Sequence, residues 1–239
     1  MGRLNLILFL FYTFFSLIVY SQNTEGQIWL ETGFKGRFVK GLDYTIDWTN
    51  RIGNQGFETM FPQASIKYKI TDWFRPSIDY RYVLKRELNS NYSGSNRLNF
   101  NIQFIKLVSR LNVGFRLRYQ YSFDRVASVN YQPEFDQAFR LKPSISYDIN
   151  NSIFSPSATV EFFYNPSNGS LGKRFTKIRS FIGVSLELKG PHDFSLGYIY
   201  DQSLNLPNPT HRHILNMTYC YKIQPKKKGK RKTMGVRWL

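Results

Sequence analysis

The sequence predicts an all-β fold, a membrane-spanning antiparallel up-and-down β-barrel of about ten to twelve strands. Three observations lead there. Apolar and polar side chains alternate with a period of two through most of the chain, and tight connections alternate with long ones. Aromatic residues make up 17% of the 239 residues, beside a formal net charge of +17, a pairing that a soluble core rarely needs. No stretch beyond the first twenty residues keeps a helical period over a comparable length.

The N-terminal segment stands apart. Arg3 precedes an apolar run from Leu4 to Tyr20, and Val19-Tyr20-Ser21 leads to Gln22, the charged, apolar and small-residue plan of a secretory signal. Residues 1–21 are expected to be that signal, residues 22–223 the barrel, and residues 224–239 a basic C-terminal tail. An uncleaved anchor is the alternative for the first segment. No later run approaches the ~18 consecutive apolar residues of a helical span. Cys220 is the sole cysteine, so an exported chain has no internal disulfide and relies on hydrogen bonding and burial. A small strand filler is the expected role of Cys220.

Eleven segments read as strands: 27–39, 42–51, 62–71, 74–88, 96–108, 111–124, 137–149, 153–165, 174–189, 192–204 and 211–223. Most exceed the ~5–6 residues of a soluble strand and reach the ~9–11 that cross a bilayer at a tilt. Successive strand side chains point to opposite sides. In 74–88, Pro76, Ile78, Tyr80, Tyr82 and Leu84 therefore oppose Arg75, Ser77, Asp79, Arg81 and Lys85. In 111–124, Leu111, Val113, Phe115, Leu117, Tyr119, Tyr121 and Phe123 oppose Asn112, Gly114, Arg116, Arg118, Gln120 and Ser122. In 137–149, Phe139, Leu141, Ile145 and Tyr147 oppose Arg140, Lys142, Ser146 and Asp148. The pattern repeats in 174–189 (Ile182, Val184, Leu186, Leu188) and in 192–204 (Phe194, Leu196, Tyr198, Tyr200). Pro143 sits mid-strand, where a missing N–H calls for a bulge or break. Single-chain bacterial barrels have even strand numbers, so either 27–39 lies outside the wall or another strand precedes it.

Tight connections fall at Lys40-Gly41, Thr71-Asp72-Trp73, Ser109-Arg110, Asn150-Asn151-Ser152 and Gly190-Pro191, with longer polar ones such as 89–96, 124–136 and 165–173 between them. Short turns at one end, loops at the other, an apolar exterior with aromatic girdles and a polar interior are the requirements of a Gram-negative outer-membrane barrel. In hydrocarbon every backbone amide needs a partner, which strands achieve only by closing. The alternative is a soluble secreted β-sandwich, with shorter strands, polar outer faces and fewer aromatics at strand ends such as Trp48, Tyr82, Tyr121, Tyr164 and Tyr200.

Removing Arg3 and the seven cations after Ile223 from +17 leaves +9 for the barrel. The candidate lumen-facing charges are Arg75, Asp79, Arg81, Arg116, Arg118, Arg140, Lys142, Glu161, Lys177, Arg179, Glu187 and Asp201, with Lys67 and Lys69 beside them. A wet lumen so lined favours anions, as a porin-like pore would. The same charges could pair and plug a narrow barrel, which its own side chains fill. The tail "KKKGKRK" (226–232) would suggest nucleic acid in a cytosolic protein. Behind an export signal it is expected to be a solvated periplasmic segment, with anionic phosphates or a wall polymer as its conceivable partners and no nucleic acid among them.

Chemistry is thinly signalled. The three histidines are His192, His211 and His213. His192-Asp193 beside Ser195, and His213 facing the preceding strand, keep a membrane-embedded lipid hydrolase open as an alternative, without an orienting acid or oxyanion hole. His211 and His213 share a strand face, but no Cys or carboxylate completes a metal set at a recognisable spacing. No catalytic, metal or cofactor residue is assigned.

The stretches "ASIKYKITDWFRPSIDYRYV", "RLNVGFRLRYQY", "SATVEFFYN", "FIGVSLELKGPHDFSLGYIYDQ" and "HILNMTYCYKI" resemble the outer-membrane barrels grouped as domain of unknown function 2490. The resemblance implies an exported barrel in the outer membrane, in contact with its lipid, with no assigned activity and no catalytic residues to carry over. The basic extension after Ile223 departs from it.

Overall fold

The computed structural model describes residues 23–223 apart from 88, 126–136, 168–171, 189, 207 and 208. The expected signal (1–21) and tail (224–239) lie outside the described residues. Eleven strands form: β1 (Asn23–Val39), β2 (Leu42–Gly53), β3 (Gly56–Tyr68), β4 (Phe74–Arg86), β5 (Tyr92–Val108), β6 (Leu111–Arg125), β7 (Gln137–Tyr147), β8 (Phe154–Asn165), β9 (Arg174–Glu187), β10 (His192–Ser203) and β11 (Thr210–Lys222). Each pairs with its chain neighbours and β1 pairs with β11, so the sheet closes into one barrel. That closure excludes the two-sheet sandwich.

The odd number is genuine, and 27–39 belongs to the wall. Ten antiparallel steps bring the chain back to its starting direction, so β11 meets β1 in parallel, from Asn23↔Thr210 to Lys35↔Lys222. No further strand is needed, because a parallel ladder satisfies the same backbone groups with slanted hydrogen bonds. The ladder continues to the Ile223 N–H, which donates to the Lys35 carbonyl at 2.9 Å.

The register fixes the barrel's shape. Ladder partners lead from Arg37 through Asp43, Lys67, Ser77, Asn101, Arg118, Arg140, Phe163 and Lys177 to Ser203. One place beyond the Gln202↔His211 pair the path crosses to Thr210 and returns to β1 at Asn23, fourteen residues from its start. A stagger of that size, at ~3.3 Å per residue and ~4.8 Å between strands, tilts the strands about 41° and gives a Cα radius of about 11 Å.

Pro143 produces no bulge. It pairs with Phe115 in an unshifted β6–β7 ladder, and only the β7–β8 ladder is interrupted, between Leu141↔Phe162 and Ser144↔Thr159. Pro62 does the same on the β3–β4 side while pairing with Trp48 on β2. A missing donor costs a proline one neighbour, and the register survives on the other. Three strands start four or more residues earlier than the sequence suggests, β1 at Asn23 among them, where it pairs with Thr210. β3 begins at Gly56 and β5 at Tyr92, because Arg86↔Tyr92 and Gly53↔Gly56 pairing holds segments whose Gly and Ser content reads as loop.

The five tight connections all lie at one end, where β1, β3, β5, β7 and β9 finish. Gly41 (φ +89°) and Gly190 (φ +96°) adopt the left-handed backbone there, which a side chain would strain. The opposite end carries the connections 87–91, 126–136, 166–173 and 204–209, and one tight turn at 54–55. Partition across the wall is inverted relative to a soluble protein. On β6 the outward Val113 and Leu117 are each 42% exposed, while the inward Arg116 is 4% exposed. Outward Ile46, Phe100, Phe139, Ile182 and Tyr198 continue the apolar exterior, and buried Asp79, Asn101, Arg140, Glu161 and Asp201 continue the polar interior.

Candidate functional site

The period-two alternation that sends Leu and Phe outward leaves the charged residues no direction but inward. They line a cavity of about 1250 Å³, bordered at the short-turn rim by Lys35, Asp72, Lys106 and Asp193 and reaching inward to Arg51, Arg97 and Phe163. Among the described residues fifteen cationic and six carboxylate side chains line it, and this excess sets the sign of its potential.

Of the predicted lumen-facing residues, Arg75, Asp79, Arg81, Arg116, Arg118, Arg140, Lys177 and Arg179 line the cavity. Lys142 (3% exposed), Glu161 (1%) and Asp201 (2%) lie buried in the fold. Glu187 belongs to β9, but its side chain lies outside the described residues.

The carboxylates collect guanidinium groups. Glu161 on β8 accepts from Arg116 Nη2 at 2.6 Å and from Arg140 at 2.8 and 3.1 Å, and Arg140 also donates to Gln120 at 3.2 Å. Asp79 on β4 accepts from Arg118 at 2.7 Å and from Asn101 at 3.0 Å. Asp201 on β10 accepts from Arg179 at 2.9 and 3.2 Å, with Lys177 Nζ 3.7 Å away. Burial of this kind is tolerated because each carboxylate meets several donors.

Deeper in, aromatic rings and guanidiniums form one layer. Arg51 lies over Trp29 (3.9 Å to the ring centre) and Phe61 (5.1 Å), and Arg81 over Phe61 (4.1 Å). Arg140 lies over Phe163 (4.3 Å), and Arg179 reaches both Phe163 (5.2 Å) and Trp29 (4.8 Å). Trp29 itself packs on Ile199, Ile214 and Phe181 and donates to Gln27 at 2.9 Å. Cation–π contact of this kind strengthens as water is removed. Arg51, Arg97 and the three inward rings are absent from the sequence-derived set. Arg51 shares the parity of Asp47 and Thr49, and Arg97 that of Asn99 and Asn101, so the same alternation places the two arginines. Nothing in a period-two pattern distinguishes an inward ring from an error in phase.

The histidines face away from the lumen. His192 Nδ1 lies 2.8 Å from the Tyr219 hydroxyl, His211 Nδ1 lies 2.6 Å from that of Tyr200, and His213 meets Tyr198. Asp193 and Ser195 are buried on the inner side of β10, so His192 and Ser195 occupy opposite faces of one strand and form no dyad. Among the described residues no three His, Cys, Asp or Glu side chains gather to hold a metal. Cys220 is buried beside the cavity.

Fold and interior together define a closed β-barrel with an apolar outer wall and a basic, hydrogen-bonded lumen. The chain belongs to the family described as protein of unknown function, DUF2490, whose match spans residues 26–212, from β1 to the first turn of the alternation in β11. No curated protein matches it.

Proposed function

We propose that the protein is an integral outer-membrane barrel whose basic lumen takes up anions from the short-turn side and is constricted at the Trp29, Phe61 and Phe163 layer. The observation that carries this is the inverted partition. A single sheet with apolar side chains outside and paired charges inside suits hydrocarbon around it and water within it. The excess of cations along the cavity supports the preference for anions.

In this arrangement residues 1–21 are the export signal, and the short turns face the periplasm. β11 ends at that rim, so residues 224–239 begin on the same side.

The test is the refolded mature chain in a planar bilayer under a KCl gradient, together with carbonate extraction of native membranes. Expected are resistance to extraction, a small conductance whose reversal potential lies toward the chloride limit, and larger steps for Arg51→Ala. Release by carbonate, or a reversal potential toward the potassium limit, overturns the proposal.

A further inference from the structure

One lumen wall carries donors that the ion pairs leave unused. Ladder pairing sets Arg75 on β4, Gln103 on β5, Arg116 on β6 and Lys142 on β7 side by side in a single row. Residues directly opposite each other on neighbouring strands stand about 5 Å apart, so the four side chains project inward as a comb. Gln103 is only 3% exposed, lines the cavity, and its Nε2 amide has no hydrogen-bond partner. The adjacent Arg75 spends one terminal nitrogen on the Asp72 carbonyl at 3.1 Å, while its Nε has no partner. Arg116 is held in place by Glu161 at 2.6 Å.

A buried donor left without an acceptor loses its hydration and gains nothing in return. Here the Gln103 amide lies on a cavity wall between the Arg75 and Arg116 guanidiniums, and the Nε of the paired Arg75 is a second donor without a partner. A chloride ion would meet the charge but not the directions of the donors. An oxyanion offers several acceptor oxygens to a fork of N–H groups, which is the geometry that guanidinium and amide donors match.

We propose that Arg75, Gln103 and Arg116 form a binding site for a phosphate-class oxyanion on the β4–β6 wall, reached from the short-turn rim. This deepens the anion-uptake proposal and rests on its basic lumen, but not on conduction through the barrel. The oxyanion could come from free phosphate or from a phosphate monoester such as a released headgroup.

The experiment is titration of the refolded full barrel in detergent micelles with inorganic phosphate, followed by calorimetry and by phosphorus NMR line width, in constant chloride. Expected is saturable binding, displaced by sulfate and not by added chloride. Gln103→Leu should weaken it about tenfold or more, and Gln103→Glu should abolish it. Arg212→Gln removes one positive charge, the same net change as Gln103→Glu, from a residue paired with Glu25 at 2.7 Å, away from the comb, and should leave it unchanged. If Gln103→Leu fails to fold, Arg75→Gln carries the same expectation. Tighter binding of glycerol 3-phosphate than of phosphate would identify the monoester as the source. Absence of saturation in folded protein, or equal loss in Arg212→Gln, overturns the site. Because no membrane is involved, that failure is distinct from failure of the conductance test.

Discussion

Arg118 on β6 reaches across the intervening strand to Asp79 on β4, with Nη2 donating to Oδ2 at 2.7 Å. Asn101, on β5 between them, donates to the same oxygen at 3.0 Å. Three consecutive strands are thus tied on their inner side by one carboxylate, independently of the backbone ladders that join them.

Removing one partner of a buried pair leaves the other uncompensated. Asp79→Asn should therefore destabilise the barrel by about 3–5 kcal/mol, measured by urea unfolding in lipid vesicles. The double variant Asp79→Leu/Arg118→Met should recover a large part of that loss. A single variant as stable as the parent would show that the pair is solvated and contributes little.

The outer face gives a second expectation. Leu117 lies mid-strand on β6 and is exposed. In a bilayer, Leu117→Arg should cost about 2–4 kcal/mol at midplane depth, whereas an ordinary water-facing substitution stays within about 0.5 kcal/mol. Refolding into vesicles with a tryptophan fluorescence readout separates the two. A cost in the lower range would count against membrane embedding.

The parallel closure is braced at the short-turn rim. Asp193 on β10 forms ion pairs with Lys35 on β1 and Lys222 on β11. Asp193→Asn should loosen both, so that the Ile223 amide, which donates to Lys35 across the closure, exchanges roughly tenfold faster. Amides of β5 and β6 serve as the unaffected reference. Uniform acceleration throughout the barrel would place the effect on global stability instead.

Gly183 and Gly197 are ladder partners on β9 and β10. A Cβ on either would run into the Phe181 ring, which packs against the buried cluster of Trp29, Ile199 and Ile214. Gly197→Ala should cost about 1–3 kcal/mol by overpacking, and Phe181→Leu in the same chain should restore part of it. Thermal unfolding of the two variants checks the order.

Much of this architecture was legible because the two faces of a closed sheet differ in polarity. The period of two in 111–124 assigns Arg116 and Arg118 to one face and Leu117 to the other without knowledge of any partner. The alternation of turn lengths likewise sorts the two ends. What the pattern could not supply is anything set by curvature. Arg118 meets Asp79, and Arg179 meets Trp29, only because the sheet bends inward and brings non-adjacent strands within side-chain reach. Trp29, Phe61, Phe163 and Ile199 break the polar rule of the inner face, and their place follows from the space left at the level of Arg51 and Arg179. The parallel closure was hidden for a similar reason. Parity of strand number is a property of the whole ring, and no local segment encodes it.

An odd ring also separates the ends of the wall. Asn23 and Ile223 sit at opposite rims, and β1 and β11 run alongside each other in the same direction. No short peptide could splice them, so a circular permutant of this barrel would need a connector running the full height of the wall. If lipid surrounds that wall, the first and last residues of the barrel are handed to different compartments, and a tag fused at one end would report on a space that a tag at the other end never reaches.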